Sequence, residues 1–316
     1  MKLITAFLRL IRSVNLLFIA LTQVLFQYCI VIPIINKAGL NTKLDSTLFL
    51  LLVIASVCIA AAGYIINDYF DLNIDRINKP QKLVVEKLIR RRWAILWHLA
   101  LSAIGVALSF YIGWKINHSL LLGISNFICV ILLWVYSTTF KKQLLTGNII
   151  ISLLTGWVVV VLYLAELELM FITAEQPVLI KAINQIFKLA ALYGGFAFII
   201  SLIREVVKDI EDMPGDQKYG CRTMPIVWGV NVSKIFAATW LVVLLAVILL
   251  LQIYVFPYEW WWSIAYAFLL ILVPLFFIFK KLIRANTIED YSKLSTWIKF
   301  VMLTGILSMI FFKFYL

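Results

Sequence analysis

The chain has 316 residues, of which 64% are hydrophobic and 14% charged. Soluble domains hold about 45–50% apolar and about 25% charged residues, so this balance excludes a water-soluble globular enzyme. The net charge of +12 does not argue for nucleic acid, because the basic residues are confined to loops between apolar blocks. Four cysteines, three of them inside apolar runs, and two histidines 20 residues apart suggest neither a disulfide framework nor a zinc site.

Residues 1–13 mix Lys2, Arg9 and Arg12 with Leu3, Ile4, Phe7, Leu8 and Ile11, the pattern of an amphipathic segment lying at a membrane interface. A signal peptide is not expected, since the following apolar run is too long and lacks a small-residue cleavage site. Nine apolar blocks come next, at roughly 14–34, 47–66, 94–113, 119–138, 147–165, 187–207, 235–254, 261–279 and 296–314. A hydrocarbon core about 30 Å thick requires about 20 apolar residues per helix. A barrel would show short alternating segments instead, and lipid cannot satisfy an open backbone. The expected fold is an all-α membrane protein of about nine transmembrane helices. No Gly/Ser/Pro-rich linker divides residues 1–316, which read as a single domain.

With the N-terminus in the cytoplasm, 22 of the 28 Lys and Arg fall on the cytoplasmic side. Lys37, Lys43, Lys115, Lys181, Lys188 and Lys313 remain on the other. By the positive-inside rule this predicts a cytoplasmic N-terminus and a C-terminus on the opposite side.

Two polar loops on the cytoplasmic side break the apolar pattern. After the second block, Asp68, Asp71 and Asp75 sit at relative positions 0, 3 and 7; after the sixth, Asp209, Asp212 and Asp216 repeat that spacing. At about 100° per residue, these positions share a helical sector about 60° wide. Pro214-Gly215 predicts a helix end just before Asp216. Three carboxylates on one face repel one another and are costly near lipid. Divalent cations offset that cost, and hard oxygen ligands select Mg²⁺, Mn²⁺ or Ca²⁺. Mg²⁺ takes one or two carboxylates and completes its shell with water and phosphate oxygens, so two such clusters facing one cavity would clamp a diphosphate.

The first loop, Asn67-Asp68-x-x-Asp71-x-x-x-Asp75, resembles the first signature of the UbiA superfamily of intramembrane prenyltransferases. Lys208-Asp209-x-x-Asp212-x-x-x-Asp216 is similar to its second, and Tyr136-Ser137-x-x-x-Lys141 with Gly147-Asn148 resembles its connection between spans four and five. With nine spans, the likeness covers nearly the whole chain. It implies a helical bundle around a central cavity open to lipid, and Mg²⁺-dependent transfer of a polyprenyl group from its diphosphate to a lipid-soluble acceptor. Two or more ions are implied, with Mn²⁺ an alternative; no protein partner is.

By that resemblance Asp68, Asp71 and Asp75 hold one metal and Asp209, Asp212 and Asp216 another, with Asp68, Asp71, Asp209 and Asp212 principal in catalysis. Asn67 coordinates metal or braces the first cluster, Lys141, Lys208 and Arg222 contact diphosphate oxygens, and Tyr136 is an aromatic facing the allylic cation. Arg204 pairs with Glu205 or binds the acceptor.

The stretch from Arg204 to Pro225 resembles geranylgeranylglycerol-phosphate geranylgeranyltransferases, which implies a geranylgeranyl donor and a prenylated glycerol phosphate acceptor. Where such families continue with Arg-Pro and a Ser-Gly pair, this chain reads Gln81-Lys82-Leu83-Val84-Val85-Glu86-Lys87. Lys82 stands in for the arginine as a phosphate contact. An aromatic acceptor, as in quinone biosynthesis, is the competing enzyme reading. A cation-coupled transporter is the reading outside the enzyme class, disfavoured because the carboxylates sit at the lip of the spans rather than near mid-membrane.

Overall fold

The structure, a computed structural model, describes residues 2–81, 83–167 and 177–315. Among them are nine helices long and apolar enough to cross a membrane. They run Ser13–Lys37, Ser46–Phe70, Arg91–Asn117, Leu121–Thr138, Thr146–Leu167, Pro177–Lys218, Val230–Tyr258, Trp261–Arg284 and Ile288–Tyr315, here the first to ninth spans. No extended sheet accompanies them among the described residues; the one β-bridge joins Val85 and Ile89.

Local chemistry marks several boundaries. Asp45 caps the second span by accepting the Leu48 N–H at 2.8 Å, and Thr287 with Asp290 forms a capping box at the start of the ninth. The first and eighth spans each contain a π-helical turn, Gln27–Val31 and Phe268–Leu272, two residues before Pro33 and Pro274. Proline removes a backbone donor and crowds the preceding turn, and the wider π turn accommodates both effects.

The spans fall into two groups, each built around the helix that carries an aspartate motif. The second span packs on the first, third and fourth, and the sixth on the fifth, seventh and ninth. Phe26, Ile35, Leu52, Ile112, Leu122, Leu162 and Ile186 form an apolar cluster at the end opposite the motifs. A second cluster joins Ile203, Val207 and Ile210 to Leu241, Leu275 and Ile298. Toward the outside, large apolar side chains such as Ile253, Tyr254, Trp262, Leu269 and Phe277 are more than half exposed, as expected of surfaces that lipid covers.

The N-terminal helix, Lys2–Leu10, buries Ala6 and Leu10 against Leu72, Val84, Val85 and Ile89, while Ile4 and Leu8 stay exposed. It thereby lies under the first motif loop.

Candidate active site

The second span ends at Phe70, and a short helix, Leu72–Asn78, follows after a bend at Asp71. The bend barely interrupts the helical ladder: Asp71 N–H donates to Asn67 at 2.9 Å, Asp75 to Asp71 at 2.8 Å and Lys79 to Asp75 at 2.8 Å. The three aspartates therefore keep close to the single face that their spacing predicts.

Each carboxylate of this motif that makes an ion pair meets a cation from a distant segment. Arg12 Nη2 donates to Asp68 Oδ1 at 2.7 Å. It does so from a left-handed kink (φ 51°, ψ 55°) between the N-terminal helix and the first span, with its guanidinium 5.1 Å from the Tyr64 ring centroid. Lys141 pairs with Asp71 Oδ2, which also accepts from Asn67 Nδ2 at 2.7 Å. Asp71 is buried and Asp75 half-buried. Burial alone would lower the pKa of Arg12 and of Lys141, but Asp68 and Asp71 respectively outweigh it, and both groups are held more firmly protonated than usual. Burial, followed by the charge of Asp71, pushes the Asp75 carboxyl up to about 6.

Lys141 is positioned by backbone contact. A Cβ on Gly147 would stand 2.8 Å from the Phe140 carbonyl oxygen and 2.9 Å from Lys141 Cα, closer than a side chain permits. This glycine lets the fourth–fifth connection fold tightly onto the start of the fifth span.

At the second motif the structure departs from expectation. The sixth span does not stop at Pro214-Gly215 but continues to Lys218 over 42 residues, about 63 Å at 1.5 Å per residue. A side chain from the other motif explains the continuation. Asn78 Nδ2 donates to the Asp212 carbonyl at 2.8 Å, and Asn78 Oδ1 accepts the Gly215 N–H at 2.8 Å. The asparagine amide thus bonds the backbone on both sides of the proline, where the helical ladder is interrupted. Asp216 is consequently helical and buried. Asp209 Oδ2 accepts from Asn148 Nδ2 at 2.7 Å, and Asp212 Oδ2 pairs with Lys79 at 2.7 Å.

The two motifs thus meet at one end of the bundle. Tyr136 lies among Lys141, Glu205, Asp71 and Asp209. Arg204 and Lys208 both reach Glu205, at 2.9 and 3.5 Å, so the Arg204–Glu205 pair is formed. Arg222 is exposed at the rim, where its backbone N–H donates to the Lys142 carbonyl at 2.7 Å. Lys82 lies outside the described residues. Arg12, Asn78, Lys79 and Asn148 were not singled out from the sequence as site residues. For two of them a signal existed: Asn78 stands two helical turns beyond Asp71, and Lys79 one turn beyond Asp75.

Among the described residues no three acidic, histidine or cysteine side chains close around one point, so neither triad forms a ready-made cage. Mutual repulsion is relieved instead by Arg12, Lys141 and Lys79, each on a different carboxylate. The donor set still fits Mg²⁺. Every group is a hard oxygen, and each motif holds a buried acceptor with no hydrogen-bond partner, Asn67 Oδ1 and Asp212 Oδ1. A magnesium ion or its water satisfies such oxygens, and it needs only one or two carboxylates besides phosphate.

Comparison with known proteins identifies the family and the fold. The model of the UbiA prenyltransferase family matches residues 31–305. The digeranylgeranylglyceryl phosphate synthase of Methanosphaera stadtmanae is 30% identical over 262 residues, covering 81% of this chain and 86% of that protein. The synthase of the same name from Saccharolobus solfataricus is 32% identical over 250 residues, 79% of each chain. A solved digeranylgeranylglyceryl phosphate synthase structure superposes with a TM-score of 0.60 at 25% identity, covering 98% of this chain and 99% of that one. A UbiA homologue from Archaeoglobus fulgidus, bound to GPP and Mg²⁺, shares the fold at a TM-score of 0.57 and 18% identity, covering 96% and 99%.

Proposed function

The chain belongs to the UbiA prenyltransferase family, and on that premise we propose that it transfers a geranylgeranyl group from its diphosphate to the free hydroxyl of a geranylgeranylglyceryl phosphate. It is an integral, multi-pass membrane prenyltransferase. The observation that carries the reading is the meeting of the two motifs at one end of the bundle, with Lys141 on Asp71, Lys79 on Asp212, Asn148 on Asp209 and Lys208 on Glu205. Such a site combines oxygen ligands for metal with cations for a diphosphate.

Asp68, Asp71 and Asp75 with Asn67 would hold one Mg²⁺, and Asp209, Asp212 and Asp216 a second. When bound, Mg²⁺ neutralises the charge that builds on the leaving diphosphate. Lys141 and Lys208 orient the diphosphate oxygens, with Arg222 at the rim. The C1–O bond breaks and its electron pair leaves with the diphosphate, while Tyr136 offers an aromatic face to the allylic cation. Water would quench that cation, so the apolar interior beyond the motifs keeps the reacting carbon dry. The acceptor hydroxyl oxygen donates the pair for the new C–O bond, and its proton passes to the departing diphosphate.

The choice of acceptor rests on the stretch from Arg204 to Pro225 and on the relatives called digeranylgeranylglyceryl phosphate synthase. The excess of Lys and Arg on one side supports a cytoplasmic N-terminus and cytoplasmic motif loops, with the C-terminus opposite. The test is a competition: geranylgeranyl diphosphate is offered with geranylgeranylglyceryl phosphate and 4-hydroxybenzoate in one reaction, and product masses are read. An ether-linked phosphate product is expected. A C-prenylated aromatic product with no ether would overturn the acceptor assignment and leave the prenyltransferase standing.

A further inference from the structure

We propose that Lys299, Arg204 and Arg12 form a second anion seat, separate from the aspartate motifs, that takes the phosphate monoester of the acceptor. The inference rests on the acceptor reading above and names the residues that select it. Lys299 lies on the ninth span and is half-buried. Its ammonium reaches the Asn15 side-chain oxygen at 3.4 Å, and among the described residues no carboxylate pairs with it. The ninth span packs on the first and sixth, which puts Arg204, Lys208, Arg12 and Glu205 within electrostatic range of Lys299.

A continuous line of contacts ties this cluster to the first motif. Asp68 holds Arg12, Arg12 lies over the Tyr64 ring, the Tyr64 hydroxyl meets Asn15, and Asn15 meets Lys299. Four helices and the kink at Arg12 therefore converge on one place beside the metal-binding carboxylates.

The charge balance there is uneven. Arg204 and Lys208 share one carboxylate, Glu205, and Arg12 has Asp68. With Lys299 added, four cations face two anions, a surplus of two positive charges. A phosphate monoester carries about −1.5 to −2 at pH 7, which matches that surplus. An aromatic carboxylate brings a single negative charge. One donor is also left over: the buried Nε–H of Arg204 has no acceptor, and an unsatisfied guanidinium donor in a membrane protein is costly. Phosphate oxygens accept from a guanidinium edge through two parallel bonds. Lys299 reaches Asn15 and Arg204 reaches Glu205, neither of them a motif aspartate, so these two cations are not taken up by the metal-binding carboxylates.

The experiment measures equilibrium binding to the full chain in phosphatidylcholine nanodiscs. Geranylgeranylglyceryl phosphate is titrated without donor, and geranylgeranyl diphosphate with Mg²⁺ is titrated separately. Lys299→Met is expected to weaken acceptor binding at least tenfold, Lys299→Arg to restore it to within about threefold, and donor affinity to change less than threefold in both. Unchanged acceptor affinity in Lys299→Met, or equal loss of donor and acceptor, overturns the seat. Phosphatidylglycerol, a phosphodiester, is expected not to compete; competition at equal concentration would make this a general lipid-headgroup site and overturn the proposal as well. If the wild type binds the phosphate lipid at this seat but alkylates only an aromatic ring, the acceptor assignment fails while the seat remains.

Discussion

Asn78 and Gly215, 137 residues apart, form the joint between the two aspartate motifs. The asparagine amide bonds the helix backbone on both sides of Pro214, and a Cβ on Gly215 would come within 2.6 Å of it. Only glycine lets the amide approach so closely. The same turn delivers Lys79 to Asp212.

Asn78→Ala removes two hydrogen bonds and is expected to cost about 1–3 kcal/mol of stability, read as a fall in thermal midpoint in detergent. Transfer rate should fall at least tenfold, because Asp212 and Asp216 lose their register against the first motif. Gly215→Ala should produce the same defect, and the double variant should be little worse than either single one, as coupled neighbours are not additive. Fully additive losses would show that the two residues act independently.

Asp68→Ala and Asp209→Ala are each expected to abolish prenyl transfer while the protein still inserts and purifies. Neither side chain packs in an apolar cluster. Retention of more than about a tenth of the wild-type rate, a loss under about 1.4 kcal/mol, would remove that residue from the principal metal ligands. Excess EDTA should stop turnover, and added Mg²⁺ should restore it.

The pKa of Asp75, raised to about 6 by burial and by Asp71, sets a pH dependence for metal use. A carboxyl must lose its proton to coordinate Mg²⁺. Above pH 6 the carboxylate is free to bind; below it, protons compete, and the Mg²⁺ concentration for half-maximal activity should rise up to tenfold per pH unit. Mg²⁺ activation curves at pH 7.5 and 5.5 measure this. Asp75→Asn should flatten the dependence, and an unchanged slope in that variant would assign the effect to another group.

Lys141→Ala should be more damaging to the fold than an exposed lysine change, because it leaves Asp71 buried and its charge unpaired. Lys141→Arg is expected to recover stability more than activity, since the longer guanidinium moves the cation at a site where diphosphate must also fit. Thermal midpoint and transfer rate, measured together, separate the two effects.

Single cysteines at Lys87 and Lys181 in a cysteine-free background test the orientation. The Lys87 position should react with an impermeant maleimide from the cytoplasmic side, and the Lys181 position from the other. The reverse pattern would overturn the argument from basic residues.

Much of this protein is legible in one dimension because lipid imposes a local rule. Each crossing must be a long apolar helix, so nine spans can be counted from hydrophobic runs, with ends that differ from the helices observed by a few residues in most spans. The sixth differs most, beginning at Pro177 and ending at Lys218, because its ends leave the apolar run and nothing in composition marks them. The two aspartate motifs are equally local: positions 0, 3 and 7 share a helix face wherever the helix forms.

What only the tertiary structure decided is which charges meet. Arg12 lies 56 residues from Asp68, Lys141 lies 70 from Asp71, and Asn148 lies 61 from Asp209. The breaker Pro214 predicts a helix end, and the helix goes on because Asn78 arrives from the other half of the bundle to bond the backbone there. Lys299 reads along the chain as one more basic residue near a span end, and packing of the ninth span on the first and sixth brings it to Asn15 and within electrostatic range of Arg204 and Arg12. Coulomb and hydrogen-bond partners are chosen by distance in space, and a hydrophobic pattern specifies which face of a helix is buried without specifying which helix lies opposite.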